Sequence, residues 1–165
     1  MRRTLTQRSA ITAAALALAL TTPSVALAQA PATPKANTNK AVKVTVRVQG
    51  PDGLLFKGKV RTKGHDVTTA AGGTHKCDGT NGGANPSKVP TPTAALDDAA
   101  EKYGFTWDGA WYASFDDFSV DTIKNVSGGG SAYWNIAVNG TSTPVGGCQF
   151  KIAAGDQVSF TWTSF

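Results

Sequence analysis

Few residues in this chain are equipped for chemistry: two histidines, two cysteines and a scatter of carboxylates. His65 and the run His75-Lys76-Cys77 invite a metal reading, since imidazole and thiolate both ligate zinc. A zinc site takes about four ligands. Only His65 stands near this run, and the cysteine has an oxidised alternative, so no metal site is expected. The stretch 78–82 (DGTNG) resembles part of a calcium loop but lacks the alternating acids and the closing glutamate. Asp97 and Asp98 could be read as an acid–base pair. Neighbours on a helix point about 100° apart, so the two cannot flank one bond, and a solvated face is expected. No Gly-x-Ser-x-Gly elbow is present, and no apolar helix follows Ser131 to build one. Two histidines in a loop rich in Gly, Asn and Thr make a weak base for a triad. The expectation is a protein without catalytic residues, and not an enzyme.

Aromatic side chains are the better candidates. Trp107, Trp111, Tyr112, Tyr133 and Trp134 are more than a small core requires, and amphipathic rings favour ligand or partner surfaces. Trp107-Asp-Gly-Ala-Trp111 reads as a turn with a tryptophan on each side, which would expose Trp107, Trp111 and Tyr112. Trp134 and Trp162 sit in alternating segments and read more readily as core. A patch of such rings suits a planar ligand, corrinoid-like or sugar-like, or an extended peptide. Full burial of Trp107 and Trp111 would remove it.

These residues must be positioned by a β-rich scaffold. Val42, Val44, Val46 and Val48 alternate with Lys43, Thr45 and Arg47, the period of a strand with one buried face. A Gly-Pro-Asp-Gly turn at 50–53 leads back through 54–62, where Gly58 marks a bulge or a close backbone contact. Lys57, Lys59, Arg61 and Lys63 line one face, read as a solvated face or protected edge in preference to an acidic-polymer site. Residues 63–89 read as a long irregular segment. A helix over 91–103 is the one convincing helical segment. Thr91 is its N-cap (Thr93 the alternative), Pro92 its first residue, Leu96, Ala99, Ala100 and Tyr103 its apolar stripe, and Gly104 its stop. The aromatic stretch 105–126 reads as an extended segment with a bend, with Asp116, Asp117 and Asp121 exposed. Residues 131–162 read as a three-strand meander through 134–138, 148–152 and 158–162, turning at Asn139-Gly140 and Gly155-Asp156. One helix packed on one mainly antiparallel sheet is α+β, and the order suits a β-grasp-like arrangement.

Residues 1–30 carry Arg2, Arg3 and Arg8 before an apolar run at 10–20 and small residues up to Ala28 or Ala30. This is the pattern of a secretory signal peptide, too short to span a bilayer. Arg2-Arg3 leaves twin-arginine export open, with the ordinary route favoured. Residues 31–40 read as a flexible linker and 41–165 as one domain. No cysteine stands at the cleavage point, so a released, secreted protein is expected over a lipid-anchored one. From residue 41 onward, 11 Lys and Arg balance 11 Asp and Glu, so the sequence pI of 9.4 says little about partners. No nucleic-acid partner and no membrane span are expected, and the oligomeric state is open. Two cysteines in a secreted chain imply one disulfide, Cys77 to Cys148.

A resemblance follows from motifs taken in order: PTAALDDA from Pro92, Tyr133-Trp134 through Val138-Asn139-Gly140, Gly147-Cys148, and AGDQV ending at Val158. Together they resemble the domain family named for the C-terminal domain of transcobalamin, long catalogued as a domain of unknown function. The resemblance spans roughly 42–162. It implies a β-grasp-like domain on secreted or surface proteins. In the animal transporters the corresponding domain covers one side of cobalamin while a helical domain holds the other, and no such helical partner is expected here. The functional expectation is a non-enzymatic binding module without a resident cofactor, its ligand cobalamin-like or another small molecule, or an extracellular protein or glycan. The alternative is an extracellular structural or adhesive interaction domain.

Overall fold

A computed structural model of the chain describes residues 39–165. The expected signal peptide and all but the end of the linker lie outside the described residues. The fold is mostly β-sheet with one α-helix. Strands β1 (Val42–Gly50) and β2 (Gly53–Thr62) form the first hairpin. A second hairpin, β3 (His65–Thr69) and β4 (Gly73–Cys77), precedes helix α1 (Pro92–Tyr103). Strands β5 (Trp107–Tyr112), β6 (Asp117–Ile123) and β7 (Val126–Ser127) make a three-stranded sheet. The chain closes with β8 (Ala132–Val138), β9 (Thr141–Ser142) and β10 (Gln157–Ser164).

The largest sheet runs β2-β1-β10-β8-β9, with β1 and β10 parallel and the other pairs antiparallel. Val44, Val46, Val48, Val158 and Phe160 alternate along the two central strands and are fully buried, packed with Leu96 and Ala99 of the helix. The small alanines let α1 lie close to the sheet. Thr91 caps the helix, its Oγ1 accepting from the Ala94 amide at 3.4 Å, and Gly104 ends it at φ 69°. The helix end is latched to β2: Lys102 Nζ and Tyr103 OH each donate to the Lys59 carbonyl at 2.8 Å. Gly58 explains how Tyr103 reaches across, because a Cβ there would lie 2.9 Å from the tyrosine ring. The bulge of this hairpin sits elsewhere, at Val48/Gln49.

Four expectations change. Segment 63–89 contains the β3–β4 hairpin, whose alternation is carried by Val67, Thr69 and Cys77 with threonines between, too weakly apolar to stand out. The Trp107–Trp111 segment is not a turn but strand β5, and the turn falls at 113–116. Asp117 is buried, not exposed. Finally, 148–152 is not a strand. Its amides go elsewhere: Cys148 N to the Asp117 carboxylate, Gln149 N and Phe150 N to the Gly146 carbonyl, Ile152 N to the Pro90 carbonyl. Backbone donors used in this way cannot also complete a ladder.

Candidate functional site

The β5–β6 hairpin and the loop 143–149 face each other across a groove of about 640 Å³. Tyr112 and Phe115 form one wall at the hairpin tip, exposed to 50% and 68%, with ring centroids 6.4 Å apart. Thr143, Pro144, Val145 and Gly146 form the other wall, and Asp117, Phe118 and Ser119 form the floor. Both walls are braced from behind. The Cys77–Cys148 disulfide ties the loop to the end of β4. Gln149 Nε2 donates to the Phe115 carbonyl at 2.6 Å, and Asn85 Nδ2 holds the Gln149 carbonyl at 2.8 Å. The hairpin tip is held by Asn81 Nδ2 on the Asp116 carbonyl and by Lys76 paired with the Asp116 carboxylate at 3.2 Å. Large exposed rings on a fixed backbone present apolar area at little ordering cost.

Asp117 is the charged side chain of this groove. Its carboxylate accepts from Phe118 N at 2.8 Å and from Cys148 N at 3.0 and 3.1 Å. Burial pushes its pKa up to about 7 against the pull of those two amides, and neighbouring Asp116 adds to the rise. Because the folded pKa lies above the ordinary value, this group favours the folded state at low pH. That contribution is lost as pH rises from about 4 through about 7. Gly146 packs directly on the carboxylate: a Cβ there would lie 2.1 Å from Asp117 Oδ2. Gly146→Ala is therefore expected to push the loop off the hairpin and cost about 1–3 kcal/mol. Urea denaturation of the variant measures this, and a cost within error of zero would show that the loop yields freely.

A second polar cluster lies under the helix. Nε2 of His65 is 3.2 Å from Asp97, its Nδ1 is 2.9 Å from the Lys63 carbonyl, and Asp98 is 3.9 Å away. Asp97 also accepts from the Trp107 indole N–H at 3.0 Å. The two acids thus form no simple solvated face. They are half-buried, and Asp97 joins β3, α1 and β5. The Asp97 hydrogen bond raises the His65 pKa to about 9 against the desolvation that lowers it. Burial raises that of Asp98. An imidazolium donating from both nitrogens fits this geometry. For His65 the stabilisation is complete below about pH 6.5 and lost as pH rises through about 9. The melting temperature should fall across that window, and His65→Gln should flatten the fall. A wild-type profile flat from pH 6.5 to 9 would contradict it.

The structure disperses the other ring candidates. Trp107 is half-buried, its indole engaged by Asp97 and its ring edge-on to Phe118. Trp111 is half-buried and stacks flat on His75, centroids 4.0 Å apart. Tyr112, next along the strand, points to the opposite face and into the groove. Tyr133 is exposed at the start of β8 and stacks with Phe165 at 5.2 Å. Trp134 is buried in the core, edge-on to Trp162. Of the five, only Tyr112 lines the groove; Phe115, Phe118, Val145, Asp117 and Gln149 were not singled out as site residues. One signal was available: Phe115 is an apolar ring inside the turn-rich run Ala-Ser-Phe-Asp-Asp. Among the described residues no cluster of three or more His, Cys, Asp or Glu is placed to hold a metal ion. No helix among them is long and apolar enough to cross a membrane.

Comparison with known proteins gives a fold likeness. No curated protein matches the chain. Among solved structures, a Ruminococcus gnavus protein provisionally described as metal-binding aligns at TM-score 0.41 and 12% identity. It covers 75% of this chain and 98% of its own. Haptocorrin in complex with Cbi aligns at TM-score 0.50 and 12% identity over 78% of this chain. The match takes in 26% of the haptocorrin chain, so the present chain spans about a quarter of that protein's length. Residues 93–164, from the helix through β10, match the model of DUF4430, a domain of unknown function, and the fold of the chain is similar to the matching part of haptocorrin.

Proposed function

We propose that the chain is a secreted, non-enzymatic binding module of the β-grasp type, and that its ligand site is the groove between the β5–β6 tip and the 143–149 loop. The observation that carries this reading is the exposed pair Tyr112 and Phe115 facing Val145 above the buried Asp117. The groove volume of about 640 Å³ falls in the range of small-molecule sites, which are mostly apolar with a few fixed polar groups. A planar, largely apolar ligand with a polar edge fits that lining. The likeness to haptocorrin, solved with Cbi, makes a corrinoid the first candidate.

The β-grasp assignment is supported by β1 and β10 running parallel at the sheet centre, with the first hairpin outside and the helix across one face. Secretion is supported by the charged and apolar pattern of 1–30 together with the disulfide. The non-catalytic reading is supported by how the titratable groups are used. His65 is held by Asp97, His75 lies flat on Trp111, and Asp117 accepts backbone amides. The alternative, an extracellular structural or adhesive domain, has its support in the exposed Tyr133–Phe165 pair. Edge-to-edge pairing is disfavoured, since edge strand β9 has two residues and edge strand β2 carries Lys57, Lys59 and Arg61.

Calorimetric titration of the purified protein with cobalamin and with cobinamide tests the proposal. A one-to-one endpoint at micromolar affinity or tighter is the expected result. No heat with either would remove the corrinoid assignment.

A further inference from the structure

The sheet face turned away from the helix carries a charge arrangement that the groove does not use. Lys43 stands directly opposite Arg61, Thr45 opposite Lys59, and Arg47 opposite Lys57. The intervening Val44, Val46 and Val60 are buried in the core, so these side chains project from the other face. Lys43, Lys57, Lys59 and Arg61 are exposed, while Arg47 is partly covered and donates to Gln49 Oε1 at 2.7 Å. Two of the three pairs set like charges face to face, which destabilises a sheet. None of the ion pairs among the described residues involves any of the five. Residues 41–165 hold 11 basic and 11 acidic side chains, so five cations on one face reflect segregation and not a general excess.

Edge protection explains charges on β2, which is an edge strand. It does not explain Lys43 and Arg47, which lie on β1 between β2 and β10. Beside the cations the face continues in amides and a hydroxyl, with Gln49 opposite Thr161 and Thr161 opposite Asn135, while Ser159, opposite Arg47, is buried and donates to the Ala137 carbonyl. A shallow depression of about 430 Å³, lined by Lys43, Thr45, Lys59 and Gly155, opens at one end.

We propose that this face binds an anionic polysaccharide. The five cations take its sulfate or carboxylate groups, and the neighbouring Thr, Gln and Asn side chains hydrogen-bond its hydroxyls. Single-stranded nucleic acid is disfavoured, because such sites stack bases on aromatic rings. Strands β1 and β2 place none among the cations, since Phe56, opposite Val48, faces the core. This surface shares no residue with the groove, so it stands or falls independently of the ligand proposed there.

The test is calorimetry of the full chain at low and high salt with a heparin oligosaccharide, an oligogalacturonate and oligo-dT. Binding of at least one oligosaccharide that weakens with salt is expected. Lys43→Thr/Arg47→Thr should weaken it roughly tenfold or more, because two charge-assisted contacts are lost. The melting temperature should stay unchanged or rise, since two like-charge pairs are relieved. Tyr112→Ala/Phe115→Ala should bind the oligosaccharide as the wild type does. Three results would each overturn the proposal: neither oligosaccharide bound at low salt, affinity untouched in the Lys43/Arg47 variant, or oligo-dT bound as tightly as the sugars.

Discussion

Replacing both cysteines, as Cys77→Ala/Cys148→Ala, is expected to cost about 4 kcal/mol of stability, the chain-entropy value for a loop of this length. The bridge joins residues 71 apart, so its loss frees a large part of the domain's chain in the unfolded state. For a domain with roughly 5–15 kcal/mol in total, that is a severe loss. The effect should also be local. Cys148 lies behind the groove wall and Cys77 at the end of β4, so without the bridge the loop 143–149 would be held by its hydrogen bonds, among them those to Asp117, Phe115, Asn85, Gly79 and Thr93. Urea denaturation of the variant measures the first effect, and amide exchange across 146–149 measures the second. A loss below about 1 kcal/mol, with exchange unchanged, would mean that those hydrogen bonds alone hold the wall.

Phe160→Ala should cost a comparable amount, about 3–5 kcal/mol. Phe160 is fully buried on β10, opposite Val48 on one side and Ile136 on the other. The two neighbours lie on β1 and β8, each hydrogen-bonded to β10, so they cannot collapse together into the space left behind. The cost should appear as a lower denaturation midpoint with an unchanged slope. A cost under about 1 kcal/mol would show a core able to repack around the missing ring.

What could be read in the sequence follows from how strongly local chemistry constrains each segment. The valines of β1, the Thr91-Pro92 start and the Gly104 stop each follow from one backbone rule, and the structure has them as expected. Asn139 and Gly140 both adopt positive φ, as their turn demands. The disulfide followed from counting cysteines. The groove was harder to see because it is built by tertiary contacts. Asp117 looks like a surface acid beside Asp116, and only the approach of the 143–149 loop buries it. Likewise, 148–152 alternates like a strand, yet Asp117, Gly146 and Pro90 take its amides. The Asp97–His65 contact joins residues 32 apart through the helix and the second hairpin, and that hairpin was itself hidden by its threonines.

The central claim is that the groove beneath Tyr112 and Phe115 holds the ligand. The most direct measurement is titration of cobinamide into the wild type and into Tyr112→Ala/Phe115→Ala, with the melting temperature of both followed in parallel. Both rings are exposed, so the variant should keep its fold and melt close to the wild type. The account predicts one-to-one binding by the wild type and a loss of roughly tenfold or more in the variant, the cost of removing two ring contacts. Equal affinity in the two proteins, or no binding by either, would contradict it.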